Sequence, residues 1–189
     1  MRLLMTRSLV ILIALAGTAQ ARPASTGFFA EGGLGAVTFL PPRTSDAAVG
    51  PEMEIRIGRD IASWFSFGIV IAASSHEATV PPPPEHEWFQ VYRGAGDVRL
   101  GTRADSIAFF VEGGAGVAMF SSNVLEKVMV VEPGEQFSIE FHAGGGLEYQ
   151  LENRHYAFGL AVNAFLAPQF DAIMAIDSRL YLRYTYGGG

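Results

Sequence analysis

The chain has 189 residues, of which 49% are hydrophobic and 17% charged, with a formal net charge of −6. That length suits one domain, and the acidic balance excludes the basic patch that nucleic-acid binding needs, so no nucleic-acid partner is expected. Cysteine is absent, which excludes both disulfide staples and a lipid-modified N-terminal cysteine.

The first segment reads as a cleaved signal peptide over 1–21. Arg2 and Arg7 precede or flank a short apolar run ending near Ala16, and Ala19-Gln20-Ala21 has the small-x-small pattern of a processing site. The run is about half the ~20 residues of a spanning helix. Cleavage would leave residues 22–189, which is 168 of the 189, and loss of Arg2 and Arg7 would take the charge from −6 to −8.

From residue 28 onward apolar residues recur with period two, the signature of strands. The spacing predicts strands near 28–40, 52–58, 63–73, 88–100, 107–120, 136–151, 156–166 and 176–186. Arg59-Asp60 is expected as the turn after the second strand. Long connections are expected after the first, third, fifth and seventh strands, including 74–87 with Pro81 to Pro84, and 121–135. Short turns follow the others, so all the long connections fall at one end of an up-and-down meander.

One sequence occurs twice. Phe28-Phe29-Ala30-Glu31-Gly32-Gly33-Leu34-Gly35-Ala36-Val37-Thr38-Phe39 returns 81 residues later as Phe109 to Phe120, with seven of twelve positions identical. The repeat marks the start of a second four-stranded half. Its Gly-Gly-x-Gly core sits inside a strand, not before a helix, so it is no nucleotide-binding loop.

The two strand faces differ sharply. One carries Glu31, Glu54, Arg56, Arg93, Asp97, Arg99, Glu112, Glu140, Glu148, Asp177, Arg179 and Arg183, seven acids and five bases. The other is almost wholly aliphatic and aromatic, which water would not tolerate around a whole barrel but lipid would. The expected fold is therefore all-β, an eight-stranded antiparallel up-and-down transmembrane β-barrel with a charged interior and outer-membrane lipids around it. Aromatic residues near strand ends are expected to form interfacial girdles: Phe28, Phe29, Trp64, Tyr149, Tyr156, Tyr184 and Tyr186 at the short-turn end, and Phe39, Trp88 and Phe120 at the other. In this pattern the chain resembles the small eight-stranded outer-membrane barrels of Gram-negative bacteria, the OmpX and OmpA transmembrane-domain type. Tyr184 and Tyr186 resemble the alternating aromatics of that family's final strand, although here the chain ends in Gly187-Gly188-Gly189.

Chemistry is sparse. His142 shares a face with Ser138 and Glu140, but Ser138 lies four residues away, too far for a nucleophile–base bond along one flat strand. The lipid A deacylases carry His-x-Ser, whereas His142 is followed by Ala143-Gly144. The expectation is a lumen histidine paired with Glu140, Glu112 or water. His76-Glu77 and Glu85-His86-Glu87 flank the proline run and would bind a divalent cation only if that connection folded back on itself. Glu31 and Glu112 are expected to face arginines of the fourth and eighth strands as a structural ion-pair cluster. No catalytic, cofactor or metal site is expected. The function that follows is a structural or interaction barrel presenting its loops to envelope partners, with a narrow channel and, further back, a lipid A-modifying enzyme as alternatives.

Overall fold

The computed structural model describes residues 26–42, 44, 47–79, 88–121, 137–170 and 172–187. The expected signal segment, the proline run and residues 122–136 lie outside these.

Eight strands form: β1 Gly27–Phe39, β2 Gly50–Ala62, β3 Phe65–Glu77, β4 Trp88–Ala104, β5 Ile107–Phe120, β6 Phe137–Gln150, β7 Tyr156–Ala167 and β8 Ile173–Tyr186. Each pairs antiparallel with its neighbours in sequence, and β1 also pairs with β8, closing the barrel. Closure leaves no strand edge, so the backbone polar groups are satisfied within the sheet as a hydrocarbon environment demands. Following directly paired residues from Phe29 through Gly58, Gly68, Asp97, Gly114, His142, Phe165 and Ala175 returns to β1 at Phe39. The stagger is the ten residues from 29 to 39, which for eight strands corresponds to a tilt of about 40°.

Period two holds along every strand. Outward positions are exposed and apolar, among them Ile55, Ile57, Ile69, Ile71, Phe109, Phe141, Phe158 and Leu180. Inward positions are buried and include all twelve charged residues expected to face the lumen. Such an apolar outer belt around a charged interior is the polarity of a barrel in lipid.

Several strand boundaries differ from expectation, β8 starting at Ile173 instead of near 176, and the ends of three strands differ most. Arg59 and Asp60 are not a turn: β2 runs on to Ala62, with a register irregularity between Asp60 and Ala62, and Ser63-Trp64 makes the turn. The third strand continues to Glu77, which takes His76 out of the expected loop. The fourth continues to Ala104, leaving Asp105-Ser106 as the turn, with Asp105 in the left-handed region at φ 54°. Asp tolerates that conformation better than most residues.

Candidate functional site

The interior has two layers of different chemistry. The one nearer the short turns is an ion-pair network built around the repeat. Glu31 on β1 and Glu112 on β5 occupy equivalent positions, four strands apart, and so face each other across the lumen. Arg99 on β4 bridges them: it donates to Glu31 at 3.2 Å and to Glu112 at 2.8 and 3.0 Å. Arg179 on β8 reaches Glu112 at 2.6 Å and Glu54 at 2.9 Å. Arg183, also on β8, lies 3.8 Å from Glu31. The arginines of the fourth and eighth strands are thus the partners, as expected. Arg56 on β2 joins them, fully buried, between Asp97 at 2.7 Å, Glu112 at 3.6 Å and Glu31 at 3.9 Å. Burying ions this deeply is tolerable only because each is paired, most of them with more than one partner.

Further along the axis Arg93 gathers three carboxylates, Glu52, Asp177 at 3.2 Å and Glu140 at 3.5 Å. Asn163 links Asp177 and Glu112 through its amide. The space left among these groups is about 10 Å³, room for roughly one water molecule.

The repeat also sets the aromatic contacts of this layer. Phe29 stacks under Arg183, whose guanidinium carbon is 3.8 Å from the ring centroid, and Phe110 lies 4.0 Å below that of Arg99. Each ring lies over a glycine of the next strand, Phe29 over Gly58 and Phe110 over Gly146. A Cβ at either glycine would come within 2.7 Å of the ring's Cζ. Here the missing side chain is what lets a large ring fit inside a narrow barrel.

The second layer, at the long-connection end, is apolar. Val37, Phe39, Phe89, Val91, Phe120, Phe165 and Phe170 pack into one buried cluster. Phe120 meets Phe170 edge-on at 4.6 Å and stacks on Phe89 at 6.1 Å. Phe39 and Phe120 are therefore corrected from interfacial girdle to interior plug, and Phe29 from girdle to lumen. All three have the same parity as Glu31 or Glu112. Phe28, Trp64, Trp88, Tyr149, Tyr156, Tyr184 and Tyr186 do lie on the outer surface.

His76 belongs to this plug. It is fully buried between Phe39 and Phe89, with ring centroids at 4.9 and 5.3 Å. Its Nδ1 faces the Ala48 carbonyl at 3.1 Å, an acceptor only, so the proton is assigned there and Nε2 accepts from the Ser74 hydroxyl at 2.9 Å. Both nitrogens are engaged, and His86 lies outside the described residues. Among the described residues no group of His, Asp and Glu is placed to hold a metal ion.

His142 pairs with Glu140 through Nδ1 at 3.1 Å. Ser138 instead donates to the Ile139 carbonyl at 2.8 Å and accepts from the Gln169 amide at 3.2 Å. Two further pairs, Glu52 with Arg93 and Arg103 with Glu148 at 2.8 Å, each bring in a residue beyond the twelve charged ones expected to face the lumen. Parity would have found both, since Glu52 matches Glu54 and Arg103 matches Arg99.

At the short-turn mouth the lumen opens into a small polar vestibule of about 60 Å³, bordered by Asp60, Arg99, Arg103, Glu148 and Arg183. It ends at the ion-pair layer.

No protein-family model matches the sequence, and no characterised protein sequence matches it. Solved structures do. Neisserial surface protein A superimposes with a TM-score of 0.64 at 12% identity, over 86% of this chain and 99% of that one. The outer membrane protein OprG from Pseudomonas aeruginosa gives 0.60 at 12% identity, over 90% and 100%. The N-terminal β-barrel domain of OprF from the same organism gives 0.50 at 10% identity, over 86% and 99%. Likeness at such identities concerns the fold. Closed topology, lipid-facing belt and structural likeness together identify the chain as a small eight-stranded β-barrel of the outer-membrane type.

Proposed function

We propose that the protein is a structural or interaction barrel, a rigid membrane-embedded scaffold that presents its long connections to other envelope proteins. A motility or adhesion assembly is the kind of setting this suits. The observation that supports the reading is the filled lumen. Transport needs a continuous path, and here the ion-pair layer and the aromatic plug lie in series across it. Hydrolysis needs a nucleophile within reach of a base, and Ser138 is engaged with Ile139 and Gln169 while His142 is turned to Glu140. What remains free to vary is the set of long connections on a rigid frame, the usual place for recognition.

The test is co-purification from detergent-extracted outer membranes, using the full chain and variants shortened within 80–87 or 122–136. The expected result is a defined set of envelope proteins retained by the full chain and lost on at least one shortening. Identical retention by every variant, or none above an unrelated barrel, would contradict the reading. Altered lipopolysaccharide acylation on His142→Ala would favour the enzyme alternative instead.

A further inference from the structure

The lipid-facing wall is almost free of charge. At the outward positions of β1 and of β4 to β8 the side chains are apolar or uncharged throughout. Only β2 and β3 place a charge there, Arg59 and Glu77. Glu77 ends β3 at the long-connection end. Arg59 lies inside a strand, exposed, two positions beyond Ile57 and two before Ile61.

Its neighbours fix its depth. Arg59 pairs directly with Phe28 on β1 and Phe67 on β3, and Phe28 pairs in turn with Tyr186 on β8. The guanidinium carbon lies 5.2 Å from the Phe28 ring centroid. These aromatics belong to the short-turn girdle, so the cation sits at the interface and not at the midplane. A lipid-facing arginine is most costly at the midplane and nearly free at the interface. Beside it a surface groove of about 550 Å³ is bounded by Phe28, Arg59, Ile61 and Tyr186. Asp60 also borders the groove, but its carboxylate is directed to Arg183 on the lumen side, which leaves the Arg59 charge facing lipid.

We propose that this groove binds the phosphate of an anionic phospholipid in the leaflet at the short-turn end. The guanidinium fork matches a phosphate bidentately. The Phe28 ring, held against its face, limits the orientations that fork can take. The outward apolar residues Ile55, Ile57 and Ile69, on the midplane side of Arg59, would lie along the acyl chain. A merely snorkelling arginine would hold the charge in the headgroup region without discriminating among lipids.

The test is native mass spectrometry of the full barrel released from mixed bilayers of phosphatidylglycerol and phosphatidylcholine in equal amounts. The wild type is expected to retain one phosphatidylglycerol with a preference of about tenfold, the effect of one good charge-assisted contact. Arg59→Gln is expected to lose the preference, and Arg59→Lys to keep part of it, since charge remains but the fork does not. Removing a charge from the lipid-facing wall should leave folding intact, checked by the heat-dependent gel mobility of the barrel. Equal retention of both lipids by the wild type, or an unchanged preference in Arg59→Gln, would overturn the proposal. Displacement of the lipid by millimolar inorganic phosphate would mark a free-phosphate site and overturn the lipid assignment.

Discussion

The two layers of the lumen are built by the same strands with opposite chemistry. Toward the short turns the inward side chains are Phe29 and Glu31 on β1, and Phe110 and Glu112 on β5, meeting arginines. Toward the long connections the same strands present Val37 and Phe39, and Ala118 and Phe120, meeting other rings. The repeat runs through both layers. Five of its six inward positions are identical between the copies, Phe, Glu, Gly, Gly and Phe, against two of six outward ones. Self-similarity is thus concentrated where two facing strands must share one interior. Lipid asks only that a side chain be apolar, whereas the lumen requires particular charges and volumes.

Removing a charge and removing a ring should therefore fail differently. The largest expected effect is at Arg56, whose loss would take from buried Asp97 the arginine it pairs with and from the two repeat glutamates one of their several arginines. Arg56→Leu should lower stability by about 3–5 kcal/mol, read from denaturant midpoints by the fluorescence of Trp64 and Trp88. Phe120→Ala in the plug should cost about 3 kcal/mol, the loss of a buried aromatic that packs on Phe89 and Phe170. Combined, the two should be nearly additive, because no ion pair or ring stack joins Arg56 to Phe120. Strong coupling between them would mean that the layers are one unit.

Within the charged layer Gly146→Ala should cost about 1–3 kcal/mol by pressing a Cβ against both the Leu160 carbonyl oxygen of β7 and the Phe110 ring, so Phe110→Leu should relieve only the part due to the ring. His142→Ala should be the mildest, about 1 kcal/mol or less, because Glu140 keeps Arg93 as a partner. A stability loss at His142 as large as that at Arg56 would make the histidine part of the central cluster.

Much of this was legible in the sequence, because period two in a closed barrel decides both which residues meet and in which solvent. Glu31, Glu112 and the arginines at 99, 179 and 183 follow from alternation plus the order of strands. What alternation alone does not supply is where a strand stops. Gly58-Arg59-Asp60 has the composition of a turn, and a charged residue among Ile55, Ile57 and Ile61 looked like an ending when it is a lipid-facing cation near the interface. The prolines at 81–84 place His76 in a loop by composition, yet it has the inward parity of Ala72 and Ser74. Nearness to strand ends alone groups the aromatics at 29, 39 and 120 with the girdle. Parity separates them, because an aromatic near an end belongs to the girdle only if it also points outward.

The proposed scaffold role rests on a lumen filled by ion pairs and rings in series. The most direct test is single-channel recording of the purified, refolded protein in planar bilayers, with Phe120→Ala alongside. The account predicts currents at the level of the bare membrane for the wild type. It predicts the same for the variant, because the ion-pair layer still closes the path when the plug is loosened. Discrete, reproducible openings in the wild type would contradict it.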